Sequence, residues 1–169
     1  TRVFLEAAPC KTLGITGSAG KTTTTTLVGE MARLHMTESG SGKAYTGGNI
    51  GDPLINYVDE MKPADLAVLE ISSFQLEQMD RSPNIAAVLN ITPNHLDRHG
   101  SMAAYTAAKQ RILDFQSAKD TAVLGRDDPG AWGLREDVKG RLYTFSLRPL
   151  EPDLSGAYLE DGLLSLRDG

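Results

Sequence analysis

The segment at residues 17–23 (GSAGKTT) combines the groups that bind phosphate. Glycines allow backbone N–H groups to wrap closely around an anion, a lysine reaches the outer phosphates, and the hydroxyl group that follows can bind Mg²⁺. Gly20, Lys21 and Thr22 supply these parts in that order. The segment therefore predicts a nucleotide phosphate site, and the alternative is an ordinary glycine turn capped by threonine.

The elements around this segment favour the phosphate site. An apolar run at residues 12–16 predicts a strand, and a strand followed by a glycine turn and a helix is the context that the motif requires. In the usual P-loop spacing the first glycine would fall at Ile15, whereas here the glycines are Gly14 and Gly17. From Lys21 onward a helix is predicted by the 3.6-residue spacing of Leu27, Val28, Met31, Leu34 and His35.

A carboxylate follows a second predicted strand. Glu70 ends the apolar run at residues 66–69. Because ligands bind outside the carboxyl ends of parallel strands, Glu70 is expected at the same sheet edge as the phosphate loop. It would then be a second Mg²⁺ anchor, acting directly or through water, and the alternative is an exposed glutamate at a strand end.

A histidine follows a third predicted strand. His95 comes after the apolar run at residues 85–89 and precedes Asp97, so a metal ligand with a nearby carboxylate is predicted. Three predicted strand ends therefore converge on one edge. His35 and His99 have no comparable support and are interpreted as structural.

A lysine lies on the apolar face of another predicted helix, at residues 101–116, for which Ser101 is a good N-cap. Lys109 shares this face with Tyr105, and either its amine snorkels to solvent or burial lowers its pKa. The pattern alone favours snorkelling. A neutral amine would be nucleophilic and could capture CO₂ as a carbamate, which would turn a cation into a metal-binding anion.

The order of elements predicts an α/β fold, with a P-loop-type, mostly parallel sheet flanked by helices. Apolar runs without alternation are typical of strands that are buried on both faces. Asp161 and Gly162 stand between two short apolar segments and predict a hairpin, so a few antiparallel strands are expected near the C-terminus. Further strands are predicted at residues 43–46, 122–124 and 141–147.

Composition restricts the classes of protein that remain possible. The 169 residues fit one domain, and the net charge of -5 argues against nucleic-acid binding. Cys10 is the only cysteine and no apolar stretch approaches the length of a membrane span, so we expect a cytoplasmic monomer without a membrane partner. The chain starts at Thr1 and enters a strand-like segment almost at once, which indicates a piece of a longer protein.

Residues 16–23 (TGSAGKTT) resemble the ATP loop of the Mur ligases, the enzymes that build the peptide stem of bacterial peptidoglycan. This family has the shorter loop TGxxGK followed by Ser or Thr, which accounts for the glycine spacing. Residues 72–77 (SSFQLE) resemble the branch that adds D-glutamate rather than other Mur ligases or folylpolyglutamate synthases. Asn94 departs from the aspartate of many relatives, so no charged role is expected there. Further matching segments follow in the expected order at residues 47–51, 94–98 and 107–112.

The resemblance implies an ATP-dependent ligase that joins D-glutamate to UDP-N-acetylmuramoyl-L-alanine through an acyl-phosphate. It implies two Mg²⁺ ions, the first on Thr22 and Glu70 and the second on His95 and a carbamylated Lys109, and it reverses the interpretation of Lys109 as a snorkelling residue. Lys21, His95 and Lys109 would be catalytic. The remaining assignments are nucleotide contacts at Gly17, Ser18, Ala19, Gly20, Lys21, Thr22 and Thr23, and substrate contacts at Asn49, Ser72 and Ser73.

The resemblance also implies that residues 1–169 are the central ATP-binding domain, in incomplete form. The family's UDP-binding N-terminal domain and amino-acid-binding C-terminal domain are expected elsewhere in a longer protein, and the chain is expected to be inactive alone. The alternatives are another Mur-type or folylpolyglutamate-type ligase, a nucleotide-switch module that would not need a second metal site, and an inactive scaffold.

Overall fold

The strand that leads into the phosphate loop lies inside an eight-stranded sheet, in the computed structural model that describes residues 1–168. The sheet order is β2-β3-β1-β4-β5-β6-β7-β8. The strands are β1 (Lys11–Thr16), β2 (Ala44–Gly48), β3 (Leu66–Glu70), β4 (Ile85–Val88), β5 (Thr121–Gly125), β6 (Arg141–Ser146), β7 (Gly156–Glu160) and β8 (Leu163–Arg167).

Helices connect most of the strands. Two further segments, Leu54–Glu60 and Gly133–Asp137, are 3₁₀ helices. The α-helices are α1 (Arg2–Ala7), α2 (Lys21–Ser39), α3 (Ser73–Glu77), α4 (Leu96–His99), α5 (Met102–Asp114) and α6 (Pro129–Trp132).

The predicted fold class is confirmed. All neighbouring strands from β2 to β7 run parallel, and only β7 and β8 pair antiparallel. Asp161 and Gly162 join these two strands with φ angles of 51° and 76°. Positive φ at both central residues is the requirement of a tight type I′ hairpin turn, which explains why the Asp-Gly pair predicted it correctly.

The predicted convergence of strand ends is also confirmed. Strand β1 lies between β3 and β4, with Ile15 level with Glu70 and Thr16 level with Val88. The phosphate loop, Glu70 and the segment after β4 therefore leave the sheet at the same edge. This is the edge at which open parallel sheets bind ligands.

The two sheet faces carry separate apolar clusters. In β3, Ala67 and Leu69 belong to the larger cluster and Val68 to the smaller one, because successive side chains of a strand point to opposite faces. The larger cluster includes residues of α1, α3, α5 and α6, and Val28 of α2 packs against the smaller one. These helices fix the position of the sheet edge.

Helix α2 forms as predicted, but of its apolar stripe Leu27, Met31 and Leu34 are exposed and only Val28 packs against the smaller cluster. Leu27 and Met31 are 59% and 69% exposed, whereas Thr25 and Gly29 are buried. A Cβ atom on Gly29 would come within 2.2 Å of Thr46 Oγ1, so the missing side chain allows the helix to approach β2 closely. Backbone proximity therefore decides which face of α2 meets the sheet.

The strand-like start expected from the sequence is wrong, because residues 2–7 form helix α1. Phe4 is buried in the larger cluster, and Arg2 pairs with Asp80 at 3.1 Å. These tertiary contacts override the local β propensity. Among residues 1–168, no helix has the length and apolar character that crossing a membrane requires.

Candidate functional site

The predicted phosphate loop joins β1 to α2. At two of its glycines, Gly17 and Gly20, a side chain would be unfavourable. Gly20 is the N-cap of α2 and has a φ of 83°, a left-handed conformation that favours glycine. A Cβ atom on Gly17 would lie 3.0 Å from the Leu89 Cβ. The loop therefore places the positive end of a 19-residue helix where an anion can approach the backbone.

The segment after β4 holds this loop in place. The Asn90 side chain accepts from the Ala19 N–H at 2.9 Å and donates to the Ala19 carbonyl oxygen at 3.1 Å. Ser18 Oγ donates to the Thr92 carbonyl oxygen at 2.9 Å, and the Ser18 N–H donates to the Asn90 carbonyl oxygen. The loop is therefore ordered by the protein itself. Sequence reasoning missed Asn90 because its partners are about seventy residues away.

Thr22 and Glu70 meet at the sheet edge. Thr22 Oγ1 donates to Glu70 Oε2 at 2.8 Å, and Asn49 Nδ2 donates to Glu70 Oε1 at 3.1 Å. Glu70 is only 2% exposed, so these neighbours fix its carboxylate. A hydroxyl and a carboxylate in contact are hard oxygen ligands of the kind that Mg²⁺ prefers, and the pair fits such an ion.

Lys109 is buried beneath the loop, so the snorkelling interpretation is wrong. It is 1% exposed, and its Nζ donates to Thr16 Oγ1 at 3.2 Å and to the Gly17 carbonyl oxygen at 3.0 Å. Lys21 Nζ donates to the same carbonyl oxygen at 3.0 Å. Burial, and secondarily the charge of Lys21, lower the pKa of Lys109 from 10.5 to about 7. A substantial fraction of this amine is therefore neutral at neutral pH.

His95 lies on the loop between β4 and α5, where its ring meets the edge of Phe74 at a centroid distance of 5.5 Å. His95 is the N-cap of α4 and has a φ of 52°. Within the described part of the chain, no group of three histidine, cysteine or carboxylate side chains forms a ready metal cluster. The structure thus brings Thr22 and Glu70 into contact and places His95 on the neighbouring loop.

The two serines predicted as substrate contacts have partners in the protein. Ser72 caps α3, and its hydroxyl and backbone N–H exchange hydrogen bonds with Gln75. Ser73 is 4% exposed, and its Oγ lies 3.0 Å from His99 Nε2. His99, which was interpreted as structural from the sequence, is thus in contact with a predicted site residue.

Tyr105 was named in the sequence only as part of the apolar face of α5, yet it also touches the loop. Its hydroxyl lies 3.0 Å from Ser18 Oγ, and its ring centroid lies 4.9 Å from Lys109 Nζ. Burial raises the pKa of this phenol. The only signal in the sequence was its position four residues before Lys109.

The loop and the sheet edge define a P-loop-type α/β domain, and comparison with known proteins identifies the family. Residues 15–159 match the family model described as the Mur ligase middle domain. The chain belongs to this family. Over 167 residues it is 45% identical to UDP-N-acetylmuramoylalanine--D-glutamate ligase of Acetivibrio thermocellus, an alignment that covers 99% of this chain and 34% of the relative.

Solved structures agree with the fold. A structure of UDP-N-acetylmuramoyl-L-alanyl-D-glutamate--2,6-diaminopimelate ligase matches 95% of this chain and 37% of its own, with a TM-score of 0.69 and 24% identity. MurF ligase of Thermotoga maritima in complex with ADP matches 85% of this chain and 34% of its own, with a TM-score of 0.60 and 25% identity. The chain spans about a third of the length of the relatives that it matches.

Proposed function

We propose that this chain is the ATP-binding part of a ligase that forms an amide bond between UDP-N-acetylmuramoyl-L-alanine and D-glutamate. The observation that carries the proposal is the meeting of Lys21, Lys109 and the Thr22–Glu70 pair around one loop at one sheet edge. The D-glutamate ligase of Acetivibrio thermocellus, 45% identical to this chain, supports the choice of amino acid. Another Mur-type or folylpolyglutamate-type ligase and a nucleotide switch are the alternatives that the experiments below separate.

In this proposal the phosphate loop binds the triphosphate of ATP. Backbone N–H groups at residues 17–23 and the N-terminus of α2 supply partial positive charge, and Lys21 reaches the outer phosphates. The loop is already held by Asn90 and Thr92, so little ordering is needed when the nucleotide arrives. The ADP complex of the Thermotoga maritima relative supports a nucleotide in this domain.

Thr22 and Glu70 would hold the first Mg²⁺, because their oxygens are already in contact at 2.8 Å. Bound Mg²⁺ supplies positive charge that neutralises the phosphate oxygens. Asn49 would orient Glu70 through the bond to its second oxygen. A second ion would be held by His95 and a carbamylated Lys109, as the resemblance to the family implies.

The lowered pKa of Lys109 supports the carbamate. Its neutral nitrogen would attack the carbon of CO₂: a C–N bond forms, one C–O π bond opens onto oxygen, and the nitrogen loses a proton, so that a neutral amine becomes an anion with two oxygens. An unmodified amine is a poor ligand for Mg²⁺, whereas carbamate oxygens are hard ligands. The neighbouring ammonium group of Lys21 would stabilise the new negative charge.

The proposed chemistry then runs in two displacements. A carboxylate oxygen of UDP-N-acetylmuramoyl-L-alanine attacks the γ-phosphorus, the bond to the β-phosphate oxygen breaks, and ADP leaves. The amine of D-glutamate attacks the carbonyl carbon of the acyl-phosphate, and phosphate leaves with the bridging oxygen while the amine loses a proton. Lys21 balances the charge that develops on the transferred phosphoryl group.

The same proposal assigns residues 1–169 to the central domain of a longer ligase and leaves binding of the UDP group and D-glutamate to other domains. Asn49, Ser72 and Ser73 would position the muramoyl substrate directly or through Glu70, Gln75 and His99, their partners in the protein. Monomeric state and cytoplasmic location stay predictions from the sequence.

The test is amide formation by the ligase that carries this chain, supplied with Mg²⁺, ATP, UDP-N-acetylmuramoyl-L-alanine and one amino acid at a time. We expect product with D-glutamate but not with diaminopimelate, and a loss of at least about 100-fold in Lys21→Ala. Lys11→Ala removes an exposed lysine at the start of β1 and is the matched control. Equal use of diaminopimelate, or an undiminished rate in Lys21→Ala, would overturn the proposal.

A further inference from the structure

His99 is held at both ring nitrogens by the same short helix. Its Nε2 lies 3.0 Å from Ser73 Oγ, and its Nδ1 lies 2.9 Å from Glu77 Oε1. The His99 side chain is 1% exposed, whereas that of Glu77 is about half exposed. The hydrogen bond at Nε2 and the ion-pair contact at Nδ1 lie on opposite sides of the ring and fix both its position and its orientation, so His99 joins the α4 segment to α3.

Two aromatic rings complete the pocket of His99. The Phe74 ring is nearly parallel to the imidazole, with a 12° angle and a 5.1 Å centroid distance. The Tyr105 ring packs against it at the same centroid distance with a 55° tilt. Stacked and tilted aromatic pairs contribute beyond simple burial, so the imidazole is confined on its faces as well as at its nitrogens.

His99 anchors helix α4, a short segment whose N-cap has an unfavourable backbone conformation. Helix α4 has four residues, and a single turn is not stable without tertiary contacts. Its N-cap, His95, has φ 52° and ψ 30°, a left-handed conformation that is unfavourable for a non-glycine residue. The N–H groups of Arg98 and His99 both donate to the His95 carbonyl oxygen at 3.0 Å. The α4 turn therefore connects His99, the anchored residue, directly to His95, the residue with the unfavourable backbone conformation.

We propose that His99 is a positioning residue that keeps His95 in its left-handed conformation. Because residues in costly backbone conformations persist only when their surroundings hold them, the anchor at the end of α4 is what maintains the conformation at its start. The direction in which the His95 ring leaves the backbone is fixed in this way. An effect of His99 on metal binding rests on the proposed function, in which His95 is a ligand of the second Mg²⁺. The anchoring of the His95 backbone does not depend on that function.

Three variants separate the polar contacts of His99 from its ring packing. His99→Phe keeps an aromatic ring between Phe74 and Tyr105 but removes the hydrogen bond to Ser73 and the ion-pair contact with Glu77. Glu77→Ala removes the contact between His99 and a half-exposed side chain, and it replaces His99→Phe in the test if that variant does not fold. Glu77→Gln keeps an oxygen acceptor for His99 and should behave like the wild type. His35→Phe makes the same substitution at an exposed position on α2 and is the matched control.

The first measurement is the intraresidue NOE between HN and Hα of His95, by NMR on the ligase that carries this chain, because these two hydrogens lie closer together at positive φ than at negative φ. We expect the NOE to weaken toward the average of a flexible loop in His99→Phe and Glu77→Ala, and to stay at the wild-type value in Glu77→Gln and His35→Phe. An unchanged NOE in both His99→Phe and Glu77→Ala would overturn the proposal.

The second measurement is titration of Mn²⁺ into the ligase with ATP, followed by electron paramagnetic resonance of free Mn²⁺. We expect His99→Phe to keep one tight Mn²⁺ and to bind the second at least about tenfold more weakly, as when a group that orients a metal ligand is lost. In activity assays kcat should fall while the KM for ATP stays unchanged. A wild-type enzyme that binds one Mn²⁺ would contradict the second metal site of the proposed function, and a weakened His95 NOE in the variants would still support the anchoring.

Discussion

Replacement of Lys109 by methionine should change how the stability of the protein depends on pH. Methionine fills a similar volume but carries no charge. In the wild type the pKa of Lys109 is about 7, because burial and the charge of Lys21 disfavour the protonated amine. In the unfolded chain the same amine has its ordinary pKa near 10.5.

The sign of the effect follows from where the proton is bound. Between about pH 7 and pH 10.5 the unfolded state holds the Lys109 proton and the folded state does not, so the free energy of unfolding rises with pH in this window. The slope is at most about 1.4 kcal/mol per pH unit, which amounts to roughly 3 kcal/mol between pH 7 and pH 9.5. Lys109→Met lacks this contribution. The hydrogen bonds that it loses to Thr16 and Gly17 shift its stability by about the same amount at every pH.

The assay is urea unfolding of the chain at several pH values from 7 to 9.5, in buffers free of CO₂ and divalent metals. The difference in the free energy of unfolding between wild type and Lys109→Met should grow in favour of the wild type as the pH rises. Lys119→Met, which removes an exposed amine, should leave the wild-type profile unchanged. If the free energies of unfolding of wild type and Lys109→Met change in parallel with pH, the pKa of Lys109 is not lowered in the folded protein.

Three other variants test the site and its supports. Glu70→Gln should reduce the gain in ATP affinity that Mg²⁺ provides by on the order of tenfold, as measured by calorimetry with and without Mg²⁺. Tyr105→Phe removes the hydroxyl that contacts Ser18 and should lower the free energy of unfolding by about 1 kcal/mol in urea. Gly48→Ala should lower the free energy of unfolding by at least about 2 kcal/mol, because Gly48 has a φ of 105° and its added Cβ would lie 2.3 Å from the Glu70 carbonyl oxygen. Gly133→Ala is the control, because its added Cβ would meet nothing within 4 Å.

Local patterns predicted the parts of the site that local chemistry determines. The loop around Lys21 and the hairpin at Asp161 each depend on a few adjacent residues, and both form where the sequence places them. The position of Glu70 beside the loop also followed from the sequence, because parallel strands end at a common edge. Short motifs and the common edge of parallel strands were sufficient in these cases.

Contacts between distant residues could not be predicted in the same way. The sequence alone places Lys109 on the apolar face of its helix. Its burial, however, depends on a loop more than ninety residues away. Asn90 and His99 act through partners that no local pattern connects to them. On α2 most of the apolar stripe is exposed, because Gly29 allows close backbone contact that a hydropathy pattern does not register.

The central claim is that the nucleotide bound at the Lys21 loop activates a carboxylate. The direct measurement uses UDP-N-acetylmuramoyl-L-alanine labelled with ¹⁸O in its carboxylate, with ATP, Mg²⁺ and D-glutamate, in the ligase that carries this chain. Carboxylate activation predicts that each phosphate released with amide carries one oxygen from the carboxylate, detected by mass spectrometry. Phosphate without that label, released at the same rate as amide, would contradict it.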